Sequence, residues 1–121
     1  MDKKSTILLI RHAQSNYNIW EMEAMKKGLE YLDYNYRSDM IDCGLSEEGK
    51  LQAKKSSKLV EGEKVKFVFT SPLRRALQTT QLMFKSAKNK PKIIVLPILR
   101  ERLEAACDVP DNIEDLMVEF P

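Results

Sequence analysis

Ile7-Leu8-Leu9-Ile10-Arg11-His12-Ala13-Gln14-Ser15-Asn16-Tyr17-Asn18 is the stretch on which the fold class turns. Four large aliphatics bounded by polar residues read as a fully buried strand, and the residues just beyond such a strand occupy the rim where α/β proteins place ligands. His12 is the only histidine of the chain and falls on that rim. An imidazole beside a guanidinium and several amide and hydroxyl donors suits attack on a phosphoryl group, with Arg11 offsetting the substrate charge. Taken alone, an Arg-His pair at a strand end reads more readily as a hydrogen-bonded structural histidine.

Beyond this segment the pattern alternates between helix and strand, without repeats or low-complexity linkers. Met22, Met25, Leu29 and Leu32 recur at helical spacing, which predicts a helix with a core-facing stripe rather than a sulfur-rich binding surface. Residues 34 to 39 break that periodicity. Gly44 and Ser46 then signal a turn and an N-cap ahead of Glu47 and Glu48, whose charges favour a helix start. Gly49, Ala53, Ser56 and Val60 follow at spacings of three or four, a small-residue face suited to close packing on a sheet.

Val65-Lys66-Phe67-Val68-Phe69 reads as the second strand, and Ser71-Pro72 as a helix start with a capping hydroxyl and a proline in the first turn. Leu73, Ala76, Leu77, Thr80, Met83 and Phe84 fit its buried face. That phase puts Arg74 on the wet side with Gln78, Gln81 and Lys85, and Arg75 at the inward edge beside Thr79 and Leu82. A guanidinium in the first turn, where free N–H groups and the helix dipole favour anions, suits a phosphate; in isolation a solvated arginine fits as well. Ile93-Ile94-Val95-Leu96 reads as a third buried strand ending at Pro97. The cluster Arg100, Glu101, Arg102 and Glu104 reads from spacing alone as a solvated face. Asp108-Val109-Pro110-Asp111 breaks the chain, and Asp111 is placed to cap a last short helix through Ile113, Leu116 and Met117.

The chain has 121 residues, 43% hydrophobic and 31% charged, which is one core with a charged exterior and predicts a single domain over 1–121. Its 20 basic and 18 acidic residues give a net charge of +2, too balanced to point to nucleic acid or an anionic membrane. No stretch approaches the roughly 18 apolar residues of a membrane helix, and Met1-Asp2-Lys3-Lys4 leads into an apolar run too short for a secretory signal; a cytoplasmic location is expected. Cys43 and Cys107 lack metal-ligand spacing, so free thiols and no metal are expected.

Four ordered segments carry a family resemblance. Arg11-His12-Ala13-Gln14-Ser15 with Asn18 resembles the R-H-G-x-S-x-x-N signature of the histidine phosphatase superfamily, the phosphoglycerate mutase-like proteins. Asp42-Cys43-Gly44-Leu45-Ser46-Glu47-Glu48-Gly49 with Gln52-Ala53 is similar to that family's D-x-x-L-[ST]-x-x-G-x-x-Q-A segment. Ser71-Pro72-Leu73-Arg74-Arg75-Ala76-Leu77-Gln78-Thr79 is similar to its S-x-L-x-R-A-x-Q-T segment. Leu99-Arg100-Glu101, ahead of Ala106-Cys107-Asp108, resembles the acidic segment that supplies the proton donor. Each match is weak alone, and together they run from about residue 5 to 108.

The resemblance implies a three-layer α/β/α architecture with a mainly parallel sheet, and phosphomonoester hydrolysis through a phosphohistidine intermediate without metal or cofactor. His12 would be the nucleophile and Glu101 the acid, with Glu104 close by; Arg11, Asn18 and Arg75 would hold the phosphate of a phosphorylated small molecule. An acid at Glu101 asks that burial and the phosphate charge keep it protonated. Phosphatase and mutase members share these residues, and the segment around Cys107-Asp108 is closer to the broad phosphatases. Two departures stand out. Ala13 replaces the common glycine, which matters if φ is positive there. The family's second histidine, on a late strand beside the first, has no counterpart, so the chain is expected to be truncated at its C-terminus relative to the family. Alternative readings are a catalytically inactive domain that binds a phosphorylated ligand or a protein partner, and a fragment of a longer phosphatase or mutase. With the first strand's edge unpaired, a homo-oligomer or a partner chain is expected to cover it.

Overall fold

The computed structural model describes residues 5–30 and 37–121. Helix α1 spans Asn16–Lys26 and starts at Ser15 through a reciprocal capping box: the Ser15 hydroxyl accepts from the Asn18 N–H (3.2 Å), and Asn18 Oδ1 accepts from the Ser15 N–H (3.0 Å). Its buried residues are Tyr17 and Ala24, seven apart, while Met22, Met25 and Leu29 are exposed. A helix includes Met22 and Met25 but ends at Lys26, before Leu29, and the expected stripe is not its core face. Tertiary bonds fix the phase instead: the Asn16 N–H donates to the Gly44 carbonyl (3.0 Å), and Ser15 bridges Leu45. Leu32 and residues 34–36 of the expected break lie outside the described residues.

A short 3₁₀ turn (Ser38–Met40) leads to α2, Glu47–Val60, capped as expected by Ser46, whose hydroxyl accepts from the Gly49 N–H (3.0 Å). Strand β1, Phe67–Thr70, and strand β2, Lys92–Val95, pair in parallel with Phe67 opposite Lys92 and Thr70 opposite Val95. Between them runs α3, Arg74–Phe84. This order, strand, helix, parallel strand, is the α/β architecture expected from the sequence. The small-residue face of α2 packs mainly on α3 rather than on the sheet, in a core of Leu45, Ala53, Val60, Met83 and Phe84. α3 lies on one sheet face, where the Thr80 hydroxyl donates to that of Thr70 (3.2 Å). On the opposite face Phe67 and Phe69 stack, both more than half exposed. Ile93 and Val95 of the strand expected to be buried are also exposed.

α3 begins at Arg74, later than Ser71-Pro72 suggests. The Ser71 hydroxyl accepts only from the Leu73 N–H (3.2 Å), and the first free helical N–H, that of Arg74, is taken by Asp42 Oδ1 from a distant loop (2.7 Å). Asp42 is fully buried, and its other oxygen accepts from the Asp111 N–H (2.9 Å). Arg74 is not on the wet side: it pairs with Asp111 (3.0 Å) and with Glu119 (2.9 Å) of the last helix, α4, Ile113–Glu119. Asn112, rather than Asp111, caps α4.

The largest correction concerns Ile7 to Ile10. These residues form no strand; Ile7 and Leu9 are 81% and 94% exposed, and Leu8 and Ile10 about half. A strand needs a ladder partner, and β1 pairs only with β2 among the described residues. The segment behind the run is nonetheless anchored. The Gln14 carbonyl accepts from the Ser46 N–H (3.0 Å), Gln14 Oε1 accepts from the Ser46 hydroxyl (2.8 Å), and the Gln14 N–H donates to Gln52 (3.1 Å).

Candidate active site

β1 and β2 run in parallel, so their C-terminal ends share one edge of the sheet. Arg75 follows β1 at the first turn of α3, and Glu101 follows β2 after a 3₁₀ turn at Pro97–Leu99. His12 reaches the same place from the anchored segment before α1. His12, Arg75 and Glu101 lie together there, while Arg11, expected to converge with them, makes no contact with Arg75 or Glu101 among the described bonds: Arg75 Nε lies 3.2 Å from His12 Nε2, and Arg75 Nη2 lies 2.8 Å from Glu101 Oε2.

The His12 tautomer follows from its partners. A guanidinium N–H can only donate, so Nε2 is the acceptor; the ring proton then sits on Nδ1, which donates to the Ala13 carbonyl at 2.7 Å. Burial holds His12 below its ordinary value, opposed by the bond to Ala13 and the Glu101 charge and reinforced by Arg75 and Arg11. In this tautomer Nε2 is unprotonated, with its lone pair accepting from Arg75 Nε–H; an unprotonated imidazole nitrogen is the nucleophilic form once that bond is released. Ala13 does not have a positive φ; among the described residues Asp42 is the non-glycine residue that does. The Ala13 N–H donates to Thr79 Oγ1 (3.1 Å), which in turn donates to the Arg75 carbonyl (2.8 Å).

Arg75 is buried to 3% exposure, and four of its five guanidinium N–H groups have acceptors, one of them His12 Nε2. Besides Glu101, Nη2 meets Asp108 Oδ1 at 2.9 Å, and Nη1 donates to the Cys107 carbonyl at 2.6 Å. Asp108 and Asp42 are the residues that sequence reasoning missed. Both stand in the quoted motifs, Asp42 heading one segment and Asp108 ending another, but only the tertiary pairing shows what their carboxylates hold.

The remaining candidates are placed differently. Arg11 is exposed and lines, with His12, a cleft of about 550 Å³ whose other walls include Leu8, Ile10, Val60 and Met83. Asn18 has its Oδ1 committed to Ser15, from both the N–H and the hydroxyl (2.9 Å), so only its amide NH₂ is available to a ligand. Glu101 is 62% exposed, so the burial expected around the acid is not supplied by the described residues. Both cysteines are free; Cys107 is pushed up to about 12 by burial and the adjoining Asp108, and burial raises Cys43. Thiols held protonated in this way are poor nucleophiles and poor metal ligands.

A buried arginine in the first turn of α3, a histidine and a carboxylate thus lie within bonding distance at one edge of the sheet. The family profile of the histidine phosphatase superfamily (branch 1) matches residues 7–108, and the chain belongs to that superfamily. Two relatives come from Schizosaccharomyces pombe (strain 972). "Probable phosphatase SPAC513.02" is 29% identical over 121 residues, covering 96% of this chain and 50% of that protein. "Probable phosphatase C1620.13" is 33% identical over 86 residues, covering 71% and 26%. The chain thus spans about half the length of the first relative and about a quarter of the second. No solved structure gives a significant match.

Proposed function

We propose that this chain carries the phosphohistidine half of a phosphomonoesterase site acting on a phosphorylated small molecule. The observation that carries the reading is the His12 tautomer: Nδ1 is held by the Ala13 carbonyl, and Nε2 presents its lone pair beside the Arg75 guanidinium. Nε2 attacks phosphorus, the P–O ester bond breaks, and the leaving alkoxide takes a proton from Glu101. Water then adds to phosphorus as the P–N bond breaks, its proton passing to Glu101 and the electron pair returning to Nε2. Arg75, Arg11 and the Asn18 amide balance charge on the phosphoryl oxygens.

The relatives' description as probable phosphatases supports hydrolysis over mutase chemistry. A cytoplasmic setting is consistent with the two free thiols, and no helix among the described residues is long and apolar enough to cross a membrane. A homo-oligomer or partner chain over Ile7 to Ile10 is supported by the exposure of that run. That four of the five Arg75 N–H groups already have acceptors within the protein is the specific observation favouring a second reading, a non-catalytic phosphate-binding domain. Turnover of nitrophenyl phosphate, with trapping of acid-labile phosphate, separates the two. Wild type is expected to form a phosphoenzyme and His12→Ala none; equal turnover in both proteins ends the nucleophile assignment.

A further inference from the structure

Arg75 Nη2 has two hydrogens and gives one to each of two carboxylates that differ in every other respect. Asp108 is 7% exposed, and its second oxygen accepts the N–H groups of Ala105 (3.0 Å) and Glu104 (3.2 Å). The Cys107 thiol lies 3.6 Å from its first oxygen. Glu101 is 62% exposed, and its described bond is to Arg75. A phosphate that takes a hydrogen of Nη2 has to displace one of them. Removing Asp108 would strand a buried carboxylate and two backbone donors, whereas a released Glu101 is resolvated by water at little cost.

We infer that Asp108 is a positioning residue, the fixed half of a two-carboxylate clamp on Arg75, and that the substrate phosphate exchanges with the other half, Glu101. This rests on the phosphomonoesterase reading and adds a division of labour to it. Asp108 fixes the guanidinium plane against the chain that carries it, so that Nη2 points at the incoming oxygens. Glu101, leaving Arg75 as phosphate arrives, is set free beside the ester oxygen that needs a proton. Substrate binding and placement of the acid become one event, and the clamp keeps the Arg75 Nη2 donors paired while the site is empty.

The single histidine provides a reporter that does not need turnover: its ¹⁵N imidazole resonances, followed while inorganic phosphate is titrated into the whole chain. In wild type, phosphate is expected to shift the Nε2 signal. In Asp108→Asn the apparent phosphate affinity should fall by about 10-fold or more, and kcat/KM for nitrophenyl phosphate by about 10²-fold, the loss typical of a misplaced anchoring group. Asp108→Glu should recover part of both. Glu101→Gln, which removes the internal competitor's charge, should bind phosphate as tightly as wild type or tighter while kcat falls. Far-UV circular dichroism and the His12 signal without phosphate show which variants are folded; should Asp108→Asn not fold, Asp108→Glu and Glu101→Gln carry the comparison. Unchanged phosphate affinity in Asp108→Asn, or weaker binding in Glu101→Gln, overturns the clamp while leaving the phosphatase reading in place. No response of wild-type His12 to phosphate overturns that reading, and the clamp with it.

Discussion

Replacing Gly49 by alanine sets two effects of opposite sign against each other at one position. Gly49 is the third residue of α2, where alanine ordinarily gains about 1 kcal/mol over glycine in helix propensity. An added Cβ, however, would fall inside the van der Waals radius of the Gln14 carbonyl oxygen, 2.9 Å from the carbonyl carbon and 3.2 Å from the Gln14 nitrogen. All three atoms are backbone, so no side chain can swing aside; either α2 or the segment carrying His12 has to move. Overpacking of this kind costs typically 1–3 kcal/mol, occasionally more. The movement also stretches the Ser46 N–H to Gln14 carbonyl bond, worth about 0.5–1.5 kcal/mol. The net expectation is a loss of about 1–3 kcal/mol, together with a fall in phosphatase activity because Gln14 lies two residues from His12. Urea unfolding followed by circular dichroism measures the loss. Gly62→Ala is the control, since a Cβ there meets nothing within 4 Å, and its stability should stay close to wild type. A Gly49→Ala protein as stable as wild type, or more stable, would refute the close approach and with it the docking of the His12 segment on α2.

Because burial holds His12 below its ordinary value of 6.5, the neutral nucleophile should persist into mildly acidic solution, and the acid limb of kcat/KM should fall below pH 6.5. Stability follows the same linkage: below 6.5 the unfolded chain takes up a proton that folded His12 resists, so this contribution is complete above 6.5 and is lost as pH falls toward the folded value. An acid limb above 6.5, or a stability that rises on acidification in wild type relative to His12→Ala, contradicts that placement. The exposed run Ile7 to Ile10 should drive self-association; light scattering over a dilution series should show mass rising with concentration, reduced in Leu9→Lys, and a monodisperse wild-type monomer would remove that expectation.

What could be read from the sequence was whatever local chemistry decides. The Ser46 cap and the inward phase of Arg75 rest on spacing and residue type within a dozen positions, whereas the parallel pairing of strands 25 residues apart (Phe67 to Lys92) came from the family resemblance. The Ile7 to Ile10 run shows the limit, because aliphatic composition states a tendency to be buried but not whether a ladder partner is present. Met22 and Met25 fail for a related reason. Their periodicity is as good as that of Tyr17 and Ala24, and the choice between the two faces is made by Asn16 bonding to Gly44. Asp42 and Asp108 were hidden because an acidic residue in a loop carries no local sign that its partners are the Arg74 N–H or the Arg75 guanidinium. Arg74 and Arg75 are adjacent and alike in sequence; one is spent on tying α4 to α3, the other on the site.

Although the first strand is not formed, the geometry around His12 is well determined, and the reason lies in a single turn of α3. Thr79 sits four residues after Arg75, and its hydroxyl closes on the Arg75 carbonyl while accepting the Ala13 N–H. The peptide before Ala13 is thereby fixed to the same helical turn that projects the Arg75 guanidinium. The Ala13 carbonyl fixes Nδ1 of His12, and Arg75 itself meets Nε2, so the Nε2 contact comes from that turn directly and the Nδ1 contact through Ala13, anchored to it by Thr79. The relative position of nucleophile and phosphate-binding arginine is therefore set by intrahelical geometry and three short hydrogen bonds, not by sheet register. A site built in this way can hold its tautomer and its arginine in place while the apolar run leading into it stays open to solvent.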